Sequence, residues 1–65
     1  MNTMDRINRF IEEAEENIAY LHVCIRDEEN EVRRAKLCKA LLYSKIELNR
    51  AIHLRFGLQL AEDRS

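Results

Sequence analysis

The residues able to do chemistry are few: Cys24, Cys38, His22, His53 and the carboxylates Glu12, Glu13, Glu15 and Glu16. His22 and Cys24 stand two apart, so a helix points them to different sides. Neither a Cys-x-x-Cys nor a His-Glu-x-x-His spacing occurs, and no metal or other cofactor is expected. A hairpin turning near Glu29 would set Cys38 level with Tyr20. The two thiols would then lie about 6 Å apart along the axis at 1.5 Å per residue. That offset does not suit a disulfide, and both read as small core thiols in a reducing compartment. The glutamates could suggest paired carboxylates, but general acid–base work needs burial and a neighbouring base, and this run reads as a solvated face. With no Gly-rich phosphate loop and no nucleophile motif, the chain is expected not to be an enzyme and to have no small-molecule substrate.

The cations of the second half, Arg33, Arg34, Lys36, Lys39, Lys45, Arg50 and Arg55, are the remaining candidates. At 3.6 residues per turn they scatter around a helix, whereas phosphate recognition wants a concentrated patch. Two copies of the chain could still assemble one. Lys45 and Asn49 fall near otherwise apolar lines, where a polar residue can fix register or orientation.

The element that must position all of these is the stretch Met4–Ile25. Met4, Ile7, Ile11, Ala14, Ile18, Leu21 and Ile25 recur at alternating three- and four-residue steps, the a/d seam of a heptad repeat. A stripe this narrow needs a partner. Asn2 or Thr3 is placed to cap the helix, with Asp5 near its positive end. The spacing predicts helix 1 over about 3–26 and a turn over 27–30. Helix 2 follows over about 31–56, capped by Asn30, and a tail over 57–65 begins where Gly57 supplies a C′ residue. The seam can also be continued through Glu28, Val32, Ala35 and onward to Phe56, so one long continuous helix is the competing reading. Against it, Leu37, Cys38, Leu41, Leu48, Ile52 and Leu54 lie off that line, and a helix apolar on several sides packs against several neighbours.

Sixty-five residues make one domain near the lower limit of independent stability. No Pro, one Gly and 35% charged residues describe a chain of long helices. The net charge of −1 conceals opposite halves. Residues 1–31 set three arginines against nine acids, a net of −6, and residues 32–65 set eight cations against three acids, a net of +5. Two helices lying side by side would complement each other in this way. No apolar run approaches the roughly 20 residues of a membrane span, and the first residues lack the order of a signal peptide, so the expected place is the cytoplasm, without membrane contact.

The expected fold is therefore all-α: an antiparallel helical hairpin that dimerises into a four-helix bundle. Its expected core is Ile7, Ile11, Ile18, Leu21, Ile25, Leu41, Leu48 and Ile52. In helix 2, Cys38, Leu41, Glu47-Leu48, Arg50 and Arg55-Phe56-Gly57 together resemble the Rop (Rom) family of plasmid copy-number regulatory proteins. The resemblance covers about 20 residues and implies a homodimeric hairpin bundle. It also implies binding of a pair of kissing RNA hairpins through the first helices, which here would use Arg6, Arg9 and Phe10. The acids that follow Phe10 would repel phosphate. The first expectation for function is accordingly a small non-enzymatic regulator of plasmid or phage type, a homodimer that contacts another protein. Its candidate surface is the off-seam set Phe10, Tyr20, Tyr43, Leu54 and Leu58. RNA recognition by Arg6, Arg9 and Phe10 is the alternative.

Overall fold

The computed structural model describes residues 2–64 as two long helices packed against each other, α1 (Thr3–Asp27) and α2 (Glu31–Arg64). Each start is held by an asparagine. Asn2 Oδ1 accepts from the Asp5 backbone N–H at 2.8 Å, satisfying one of the orphan donors of the first turn. Asn30 does more, since its Oδ1 accepts from both Val32 N–H (3.0 Å) and Arg33 N–H (3.1 Å). Between the helices Glu28 is extended, and its carboxylate accepts from the Asn30 N–H at 3.1 Å. Three residues thus reverse the chain without glycine or proline, and the hairpin stands in place of the single continuous helix.

Two side-chain bonds across the helix pair set the register. Asn17 Nδ2 donates to Ser44 Oγ at 3.0 Å, and Arg55 donates to Asn8 Oδ1 at 3.2 Å. In that register Ile25, Leu21, Ile18, Ala14, Ile11, Ile7 and Met4 run level with Leu37, Leu41, Ser44, Leu48, Ala51, Arg55 and Leu58. Large residues face small ones at Ala14–Leu48, Ile11–Ala51 and Ile18–Ser44, which lets the helices approach closely. The same register sets Cys24 level with Cys38, about one turn from the offset that a tight turn at Glu29 would give. The cause is the extended loop. Each extended residue advances about 3.3 Å against 1.5 Å in a helix, so the chain climbs past the end of α1 before α2 begins its return. Both thiols are free; Cys24 is half-buried and Cys38 is exposed.

Burial is confined to this seam. Ile7, Ile11 and Leu21 are buried, with Ile11 only 4% exposed, and α2 has no fully buried residue. The expected core residues Ile18, Ile25, Leu41 and Leu48 are half-buried along the same line, while Ile52 stands one position outside it and is exposed.

The end of α2 departs from expectation. Gly57 is helical, with no left-handed φ, and the helix continues to Arg64 through the stretch read as a tail. A lone glycine costs a helix interior only about 1 kcal/mol relative to alanine. Leu58 repays that cost on the seam, and no proline follows to break the ladder. A Cβ at Gly57 would meet nothing within 4 Å. Gly57→Ala should therefore raise stability by about 0.5–1 kcal/mol in urea denaturation, and a loss of stability would contradict a helical Gly57.

Candidate interaction surface

One edge of the hairpin carries Phe10 and Tyr43, two of the four off-seam aromatic residues. On α1, Thr3, Phe10, Asn17 and Cys24 recur every seven residues and flank the seam on one side. On α2, Glu47 and Leu54 do the same, with Tyr43 and Arg50 one step further round. Two shallow depressions lie along this edge. The first is lined by Arg6, Ile7, Phe10, Glu47, Arg50 and Leu54, and the second by Phe10, Glu13, Asn17, Tyr43, Ser44 and Glu47. Phe10 and Glu47 border both, so a ring 46% exposed stands between them. Three residues of the proposed partner surface, Phe10, Tyr43 and Leu54, therefore share one edge. Leu58 is half-buried at the open end of the hairpin, in a third depression with Met4 and Ala61. Tyr20 borders none of the three.

Tyr20 interacts along its own helix instead. A hydrogen bond with the Cys24 side chain one turn on, followed by repulsion from the Cys24 charge and slight desolvation, raises its pKa above the ordinary 10.0. The neutral phenol is thus favoured in the folded chain. Any stabilisation from it is present below the ordinary tyrosine pKa and is lost as the pH rises through the higher folded value. In a spectrophotometric titration one tyrosine should ionise above pH 10, and Cys24→Ala should bring it back; an unchanged curve would remove this contact.

The residues offered for RNA also divide. Arg6 and Phe10 line the first depression with Arg50, so two guanidinium groups and a ring meet there. Arg9 instead lies within 3.8 Å of Glu13, both largely exposed. Arg50 donates to Glu47 at 3.0 Å, which already balances part of its charge. Such surface pairs are individually weak, so they bias side-chain position more than stability. Glu12, Glu13, Glu15 and Glu16 are all exposed. Among the described residues no three His, Cys, Asp or Glu side chains converge as metal ligands, and no helix is long and apolar enough to cross a membrane.

Sequence reasoning missed two positions that organise the site. Arg55 falls in the last turn of the expected helix 2 over 31–56, yet it lies within the longer α2 on the seam and reaches Asn8. Asn17, a polar residue beside the α1 seam that the sequence did not single out, ties α1 to Ser44. The available signal was position: Asn8 and Asn17 both flank the heptad line, where a polar side chain meets the neighbouring helix. Comparison with protein families, curated proteins and solved structures finds no match to this chain.

Proposed function

We propose that the chain is a small non-enzymatic regulator, of the kind carried by plasmids and phages, that works in the cytoplasm as a homodimer and acts through protein–protein contacts. In this reading two hairpins pair into a four-helix bundle with a Rop-like arrangement. The observation that carries it is the imbalance between covered and uncovered apolar surface. Three side chains are buried, while eleven large hydrophobic residues are exposed, eight of them on α2. A domain of this size rarely holds together on so small a core, and monomeric proteins rarely leave so much contiguous apolar surface in water. A second copy covers one face. The edge bearing Phe10, Tyr43 and Leu54 is then the surface for the regulated protein.

The second reading, RNA recognition, is favoured by one observation: Arg6, Arg50 and Phe10 border the same depression, combining charge with a ring on which a base can stack. Light scattering on a sizing column, with absorbance at 260 and 280 nm on protein purified without nuclease, separates the readings. A dimer mass free of nucleic acid is the expected result. A dimer whose excess 260 nm absorbance disappears with added salt would move RNA to the front, since phosphate contacts weaken steeply with salt. A monomer would overturn the homodimer.

A further inference from the structure

The face of α2 turned away from α1 carries a second heptad line. Leu42, Ile46, Asn49, His53, Phe56 and Leu60 follow one another at alternating four- and three-residue steps, with Ile52 beside them. Leu42 and Phe56 are 60% and 62% exposed, the largest values among its hydrophobic residues. The face is partly mirrored about Asn49, with Leu42 and Phe56 exchanging places on the line and the other mates lying beside it. Leu42 and Phe56 each stand seven residues from Asn49, Ile46 and Ile52 three, Lys45 and His53 four, and Lys39 and Gln59 ten. Asn49 is the centre.

We infer that this face binds the same face of a second copy, with the two α2 helices antiparallel and Asn49 meeting its counterpart at the two-fold axis. The inference rests on the homodimer proposed above and sets the two α2 helices at its centre with the α1 helices outside, a row of four helices in place of the Rop-like bundle. A two-fold axis requires a self-complementary patch, and Leu42, Ile46, Ile52 and Phe56, mirrored about Asn49, supply one on an antiparallel helix. In this register Leu42 packs against the partner copy's Phe56, and Ile46 against its Ile52. Asn49 pairs with Asn49, whose amide is both donor and acceptor and so satisfies an identical group. A polar residue that pairs with itself in a mostly apolar line specifies register and orientation while lowering stability.

Charge selects the orientation. The second half of the chain is basic, with eight cations against three acids. Parallel helices would stack Lys39 on Lys39 and Lys45 on Lys45, and like charges at close range disfavour association. The antiparallel register sets Lys39 level with Gln59 and Lys45 level with His53. It also brings Asp63 within a turn of the partner copy's Lys39. The antiparallel pairing removes both lysine self-contacts while burying the same apolar line; it sets Lys36 level with Glu62 and Arg34 level with Arg64.

Single cysteines test this in full-length protein carrying Cys24→Ser and Cys38→Ser. Under mild oxidation Asn49→Cys should form a covalent dimer at least tenfold faster than Lys39→Cys, because only position 49 meets itself. Mixing Lys39→Cys with Gln59→Cys protein should give the heterodimer. Rapid self-linking of Lys39→Cys would overturn the antiparallel orientation. A dimer by light scattering that links at neither position would overturn this face and leave the homodimer standing. A monomer mass before oxidation would overturn both.

Discussion

Ile11→Asp should leave the chain without cooperative structure at room temperature. Ile11 is the most buried side chain, 4% exposed, and lies on the seam level with Ala51. The substitution removes an apolar side chain whose burial contributes roughly 1.5–3 kcal/mol. It also places a carboxylate opposite Ala51, and an unpaired buried charge costs several kcal/mol more. Small domains have a total stability of about 0.05–0.15 kcal/mol per residue, so the combined loss is of the order of everything a 65-residue chain has. Far-UV circular dichroism should show mostly coil at neutral pH. Glu16→Gln, on the exposed face of α1, should melt within a degree or two of the unsubstituted protein. A helical, cooperatively melting Ile11→Asp protein would mean that the α1 seam is not where the hairpin is held together.

The contrast between those two positions also shows where the sequence was legible. The α1 seam could be read directly, because its apolar residues are uninterrupted and the residues between them are charged. Both helices and the capping asparagine of α2 followed from the same pattern. The seam of α2 was harder to read because α2 carries two lines of heptad spacing. Leu37, Leu41, Ser44, Leu48, Ala51, Arg55 and Leu58 face α1. That line contains a serine and an arginine, and the line through Leu42, Ile46 and Phe56, which contains Asn49 and His53, is just as regular and about as apolar. Periodicity alone does not say which of two such lines meets a given neighbour. The register has a different cause, since it depends on how far the chain climbs through the loop that begins with extended Glu28, and residue types there carry no strong signature of that climb. Gly57 misled because a glycine permits a helix end but does not impose one. At the candidate surface, Phe10, Tyr43 and Leu54 were legible as off-seam residues; that they share an edge while Tyr20 and Leu58 do not follows from the register.

Leu42→Asp tests the other line, and its expected effect is as large as that of Ile11→Asp but of a different kind. Leu42 is 60% exposed in the hairpin, so an aspartate there takes almost nothing from α1–α2 packing. In a dimer built through α2 it loses an apolar contact and introduces two carboxylates, one per copy. Truncating a central interface residue costs about 2–4 kcal/mol, which for two copies amounts to a rise in the dissociation constant of a hundredfold or more. Because folding and association are linked in so small a chain, the melting temperature of the unsubstituted protein should itself fall on dilution. Leu42→Asp should behave at high concentration as the unsubstituted protein does when far more dilute, with the mass of a monomer at micromolar concentration. Tyr43→Asp, adjacent in sequence but on the Phe10 edge, should keep the dimer mass. If the two exchange roles, so that Tyr43→Asp dissociates the dimer and Leu42→Asp does not, the copies meet through the Phe10 edge and the α2 line is the surface left for another protein. The pair of variants thus assigns the two exposed apolar faces to their occupants, because each removes one face and leaves the seam between α1 and α2 intact.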